Sequence, residues 1–117
     1  MTVGDVNSTE LGSGARYNDG KPAFELIALS TLEDEARVWD YGRRKYASWN
    51  WAKGMAWSVP LGCILRHLAA WQRGEDLDPE SGLPHLAHIS CNLRMLTLYA
   101  KTYQAGDDRP KKWLGHV

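Results

Sequence analysis

The sequence predicts an all-α domain, a small helical bundle of three main helices and a few short pieces. Apolar residues recur at helical spacing in three long segments, and no segment keeps a two-residue alternation. Glycine and proline fall between those segments, at Gly54, Pro60, Gly74, Gly82 and Pro84, and set their limits. At 117 residues the chain is one domain by size, and 44% hydrophobic content suffices for a core.

Residues 1–19 read as a flexible arm, rich in Gly, Ser, Thr and Asn with little apolar material. Residues 20–105 form the folded domain, and residues 106–117 a charged surface tail. The first helix is expected from residue 30 or 31 to 46, with Ser30 as N-cap and Glu33 completing a capping box. Leu32, Ala36, Trp39 and Tyr46 share its apolar stripe, and Glu35 falls on the same stripe. Glu33, Arg37, Asp40 and Arg44 take the solvated side. A tryptophan-rich connection, residues 47–57, is too apolar for a plain surface loop. The second helix is expected over residues 58–73, capped by Ser58, with Pro60 tolerated in its first turn and Gly74 at its end. Leu61, Ile64, Leu65, Leu68 and Gln72 make one face; Cys63, His67, Trp71 and Glu75 follow a neighbouring stripe. After an acidic loop, residues 74–82, the third helix runs from 83 or 84 to about 104. Leu86, Ile89, Leu93, Leu96 and Ala100 make its apolar face, and His85, His88, Asn92, Met95 and Tyr99 a second stripe. More than one apolar-leaning stripe per helix predicts dimerisation or higher assembly that covers the remainder.

Fourteen Lys+Arg balance fourteen Asp+Glu, so no net basic field points to a nucleic-acid partner. No apolar run reaches the roughly 18 residues a spanning helix needs, so no membrane partner is expected. The first residues lack the basic and apolar regions of a signal peptide, and a cytoplasmic protein is expected. Cys63 and Cys91 read as small buried hydrophobes of a reducing compartment; their spacing gives no zinc-finger pattern. Six Trp and five Tyr against one Phe form the chief compositional bias, suited to an interface or a ring-stacking pocket.

Four constellations can carry chemistry. Glu75, Asp78, Asp76 and Glu80 lie within six residues: either a site for a hard divalent cation or a solvated acidic loop. Two antiparallel helices joined by that loop bring His67 and Trp71 opposite His85, His88 and Asn92, as a ligand seam or as satisfied core histidines. Glu35 on an apolar stripe needs a partner, a metal ion or a cation such as Arg66 or a Lys, with Asp34 the adjacent alternative. Lys21, Lys45, Lys53, Arg66 and Arg109 can hold phosphates, while Trp49, Asn50 and Trp51 can stack on a base and read its edge; each is equally at home as a surface or packing residue. No Walker A, GxGxxG, His-Asp dipeptide or nucleophile signature is present.

Three stretches resemble a known family: Gly14-Ala-Arg-Tyr-Asn-Asp-Gly-Lys-Pro22; Tyr41-Gly-Arg-Arg-Lys-Tyr46 with Trp49-Asn-Trp-Ala-Lys-Gly54; and residues 65–88, whose core reads Arg66-His-Leu-Ala-Ala-Trp-Gln-Arg-Gly-Glu-Asp-Leu-Asp-Pro-Glu-Ser-Gly-Leu-Pro-His85. With Asn92 and Asp107-Asp-Arg-Pro110, they are similar to the phage dATP/dGTP diphosphohydrolases, a MazG-like branch of the all-α nucleotide pyrophosphohydrolases. The resemblance implies a bundle assembled as a homodimer or homotetramer that uses Mg²⁺ or Mn²⁺, two or three ions per site. It implies hydrolysis of purine deoxynucleoside triphosphates to monophosphate and pyrophosphate, in phage modified-purine metabolism. A non-enzymatic helical phage protein that binds a host partner or a nucleotide is the alternative. The MazG carboxylate pattern EExxE and ExxD is not reproduced, because Val38 stands three residues after Glu35 and His85-Leu-Ala-His88 occupies the third-helix position. The expected ligands are therefore Glu35, Glu75 and Asp78, with Asp34 and Asp76 in reserve. His67 or His85 is the expected general base or water-positioning group. Lys45, Arg66 and Arg109 are the expected phosphate holders, and Asn50, Trp51 and Asn92 the walls of the nucleoside pocket.

Overall fold

The computed structural model describes residues 2–17 and 19–115; the ends of the expected arm and tail, with residue 18, lie outside the described residues. Three helices dominate: α1 (Glu33–Lys45), α2 (Ser58–Gln72) and α3 (His85–Thr102), followed by a short α4 (Lys111–Leu114). In the arm, β1 (Thr2–Val3) pairs antiparallel with β2 (Arg16–Tyr17).

Charge placement suits α1. Glu33, Asp34 and Glu35 fill its first turn and Arg43, Arg44 and Lys45 its last, complementing the helix dipole. The expected capping box is not formed. The chain enters through a 3₁₀ turn, Leu29–Leu32, and Leu32 is the N-cap without a side-chain bond, so Ser30 caps nothing. The buried face is also rotated from the expected stripe. Glu35 and Val38 are buried with Trp39 packed beside them, whereas Ala36 and Tyr46 are exposed. The cause is Glu35: its carboxylate accepts from Arg94 Nε at 2.6 Å and Nη2 at 3.0 Å, which turns that side of α1 toward α3.

The tryptophan-rich connection packs down only in part: Trp57 is buried and Trp51 half-buried, but Trp49 is 72% exposed. Trp49 takes a left-handed conformation (φ 64°) ahead of a 3₁₀ turn, Asn50–Lys53. Gly54 follows at φ 93°, where a Cβ would meet the Tyr103 ring at 2.7 Å, so glycine alone fits. Trp57 is tied to the far end of the chain: its backbone N–H donates to Gly106 O at 2.9 Å and its indole N–H to Tyr103 O at 3.0 Å. α2 starts at Ser58 itself, so its N-cap is Trp57, one residue before the expected cap. The capping group is Asp108, which accepts from the Ser58 N–H at 2.9 Å and from the Ser58 hydroxyl. At its other end Gly74 (φ 95°) closes a Schellman motif, with Gly74 N–H to Trp71 O and Glu75 N–H to Ala70 O.

α3 is the central helix; α2 packs on it most extensively and α1 packs on it too. Its inward face is the histidine stripe, not the leucine stripe. His85, Ala87, His88, Cys91 and Tyr99 are buried, while Leu86 and Leu93 are 51% and 55% exposed. On α2, Leu61, Leu65 and Leu68 point outward as well. The core is correspondingly small, a cluster of Val38, Ala87 and Cys91 with Trp39, Leu83 and Met95 against it. The radius of gyration is 19.9 Å, well above the roughly 13 Å of a compact chain this long.

Candidate functional site

The loop between α2 and α3 is built by its own backbone. Asp78 N–H donates to Leu83 O at 2.8 Å, Gly82 N–H to Asp78 O at 2.7 Å, and His85 N–H to Asp76 O at 2.9 Å. Folding back in this way sets Asp78 and Ser81 against the first turn of α3 and opposite His67 of α2. Asp78 accepts the Ser81 N–H at 2.8 Å, and the Ser81 hydroxyl meets His88 Nε2 at 2.7 Å.

Three histidines meet there. His67 Nδ1 lies 2.8 Å from His85 Nδ1, and the His67 and His88 rings stack at 4.4 Å and 6°. His85 Nε2 lies 2.8 Å from Glu75 Oε1. A carboxylate accepts only, so the Nε2 proton belongs to His85, and in the neutral ring the lone pair is on Nδ1, facing His67. One ligand atom each from His67, Asp78 and His85 lie within 4.8 Å of one another. Burial pushes the His67 imidazole below its ordinary range, and does the same for His88 together with the neighbouring His67. For Asp78, burial opposes the charge, but hydrogen bonds from Ser81 and the nearby His88 outweigh it and hold the carboxyl low.

Above this cluster opens a groove of about 1230 Å³ between α1 and the α2–α3 pair. Of the expected site residues it brings together Lys45, Asn50, Trp51, Arg66, His67, Asp78 and Asn92. One wall is aromatic: Trp51 lies 4.8 Å from Trp39 and 6.0 Å from Trp49, centroid to centroid. Asn92 donates to the His88 carbonyl at 2.8 Å, and Arg66 Nη2 approaches Cys63 Sγ at 3.4 Å. Lys45 Nζ donates to Glu80 Oε1 at 2.8 Å, joined there by the Tyr41 hydroxyl at 2.8 Å, so the acidic loop is pinned to α1. Glu80 raises the Lys45 ammonium above its ordinary range, and Lys45 lowers Glu80 in return.

Other expected residues lie elsewhere. Glu35 is not among the groove residues; Arg94 and the Trp39 indole N–H engage its carboxylate. Asp34 pairs with Arg37 on the surface. Glu75 and His85 stand behind the groove lining, and Asp76 contributes its backbone carbonyl. Arg109 forks onto Asp107 and lies over the Trp57 ring, at the capped end of α2. Trp71 is half exposed and outside the groove. Arg94 and Tyr41 were not singled out from sequence; a lone carboxylate on the apolar stripe of α1 signalled a cationic partner without saying which.

A family model described as "dATP/dGTP diphosphohydrolase, N-terminal" matches residues 12–109. A protein of Salmonella phage PMBT28, named dATP/dGTP diphosphohydrolase, is 31% identical over 105 residues, which cover 90% of this chain and 35% of that protein. The chain thus spans about a third of the length of the relative it matches. No solved structure matches it. No helix among the described residues is long and apolar enough to cross a membrane. The matched span includes every helix of the bundle but α4, the acidic loop and the histidine cluster, and the chain belongs to the dATP/dGTP diphosphohydrolase N-terminal family.

Proposed function

We propose that this chain carries the hydrolytic site for purine deoxynucleoside triphosphates, releasing monophosphate and pyrophosphate, in phage purine-nucleotide metabolism in the host cytoplasm. The observation that carries the reading is a single groove lined both by His67, His88 and Asp78 and by an indole wall. Family membership supports the same chemistry. The donor set fits one divalent ion directly, because His67, His85 and Asp78 offer two nitrogens and a carboxylate within ligand reach of one another. Mg²⁺ or Mn²⁺ carried by the triphosphate accounts for further ions of the two or three expected. A bound ion supplies charge neutralisation at the phosphates and a more acidic water.

The chain's own groups account for the remainder. Arg66 and Lys45 line the groove as phosphate holders, and Lys45 exchanges its exposed Glu80 partner for phosphate at little cost. Trp51, backed by Trp39 and Trp49, stacks on the base, and Asn50 and Asn92 offer amides to its edge. His88 presents an imidazole nitrogen that accepts the proton of the attacking water. Glu75 orients His85 through Nε2, and His85 in turn orients His67. Water attacks the α-phosphorus, the bridging P–O bond to the β-phosphate breaks, and pyrophosphate leaves. The outward leucines of α2 and α3 support assembly as a dimer or tetramer.

The test is incubation with each dNTP plus Mn²⁺ or plus EDTA, with product identification. The reading expects dGMP or dAMP with pyrophosphate, abolished by EDTA. Orthophosphate with a diphosphate product contradicts it, and tight dNTP binding without product favours a nucleotide-binding protein.

A further inference from the structure

We infer that His67 Nδ1, His85 Nδ1 and Asp78 form a one-ion centre that selects a first-row transition ion of the Zn²⁺ and Co²⁺ type over Mg²⁺. The sequence set zinc aside because the cysteines lack finger spacing, but the folded chain supplies a different donor set. The three donors come from three places, α2, the acidic loop and the start of α3, yet lie within 4.8 Å of one another. The two imidazole nitrogens are 2.8 Å apart. Adjacent nitrogens around an ion with ~2.1 Å bonds are separated by about 3.0 Å in an octahedron and about 3.4 Å in a tetrahedron, so opening the pair by a few tenths of an ångström admits the ion.

The second argument is the tautomer. Glu75 accepts a hydrogen bond from the Nε2–H of His85, which in the neutral ring leaves the lone pair on Nδ1, aimed at His67. Carboxylate behind histidine is the arrangement that fixes metal-binding imidazoles and raises their basicity. The His85 side chain is also 2% exposed, so it is held in place before any ion arrives. The third argument is donor type. Imidazole suits Zn²⁺, Co²⁺ and Ni²⁺, whereas Mg²⁺ takes oxygen and keeps its water. Cys63 is on the same helix but donates to no member of this group; Arg66 approaches its sulfur. Two ligating imidazoles leave His88, whose Nε2 faces Ser81 in the groove, as the proton acceptor.

This deepens the proposed metal dependence, and its test uses no turnover, so the two readings fail separately. Co²⁺ and Zn²⁺ are titrated into the untagged, metal-free chain at pH 7.5, followed by calorimetry and the cobalt d–d spectrum. The expected result is one ion per chain, with a hundredfold excess of Mg²⁺ displacing less than half. His67→Gln and Asp78→Asn each weaken Co²⁺ at least about 30-fold, Glu75→Gln about 10-fold, and Cys63→Ser leaves it unchanged. His85→Gln alters a buried residue, so the decision rests on the less buried His67 and Asp78, with helical circular dichroism to verify folding. Undiminished Co²⁺ binding in both folded variants, absence of Co²⁺ binding in the parent chain, or Mg²⁺ competing on equal terms overturns the inference. The first two leave the His67–His85 contact as a plain N–H···N hydrogen bond; the third removes the selectivity.

Discussion

Glu35 is 5% exposed and its carboxylate is held by both fork nitrogens of Arg94 and by the Trp39 indole. Arg94→Met strands that carboxylate and is expected to cost about 2 kcal/mol, read from the denaturant midpoint; a change below about 0.5 kcal/mol marks the pair as a surface contact. The pH dependence follows. The Arg94 hydrogen bond depresses the folded-state pKa of Glu35 below the unfolded value, so the stabilisation is present above about pH 4.3 and is lost as pH falls through the folded pKa. In Arg94→Met the buried carboxyl has no cation and desolvation raises its folded-state pKa, so the gap between parent and variant narrows as pH falls from the variant's raised pKa to the parent's lowered one. An equal gap at pH 7 and pH 3.5 contradicts this. At this scale the sequence revealed the need but not the partner. A lone carboxylate on an apolar stripe demands a cation, and a metal ion, or else Arg66 or a Lys, was expected. Arg94 is 59 residues away in sequence, and only the packing of α1 on α3 brings it there. The histidine cluster was more legible. A short loop between antiparallel helices leaves few registers, so His67, His85 and His88 had to approach one another.

Three helices were readable because each exceeds a dozen residues with strong periodicity, and their bounds fall within about three residues of expectation. Caps were harder. Ser58 was expected to cap α2, yet Asp108 does so across 50 residues, and no local pattern encodes such a bond. Asp108→Ala is expected to lower stability by about 1 kcal/mol, a cap's usual worth, measured by chemical denaturation. No loss means that water replaces it. Face assignment also failed on α3, since hydrophobicity alone placed Leu86 and Leu93 inward and the histidines beside them. The structure buries the histidines because Ser81, Glu75 and His67 satisfy their polar atoms.

At the scale of the whole molecule, outward leucines, a small core and an extended shape belong together. A single copy leaves Leu61, Leu65 and Leu68 of α2 in water, a stripe at helical spacing that a second copy covers in the proposed assembly. Light scattering is expected to give a mass of at least twice 13.2 kDa for the parent chain and one copy for a Leu65→Glu, Leu68→Glu variant. A parent chain that scatters as a monomer contradicts the assembly. The aromatic bias of the sequence resolves at this scale too. Trp57 ties the start of α2 to the segment that follows α3, while Trp39, Trp49 and Trp51 wall the groove. Turnover by Asp78→Asn and His67→Gln, measured beside nucleotide binding from quenching of those groove tryptophans, tests the hydrolytic site most directly. The account predicts a kcat for dGTP or dATP lowered at least about 100-fold with binding kept within about tenfold. Wild-type turnover in both folded variants contradicts it.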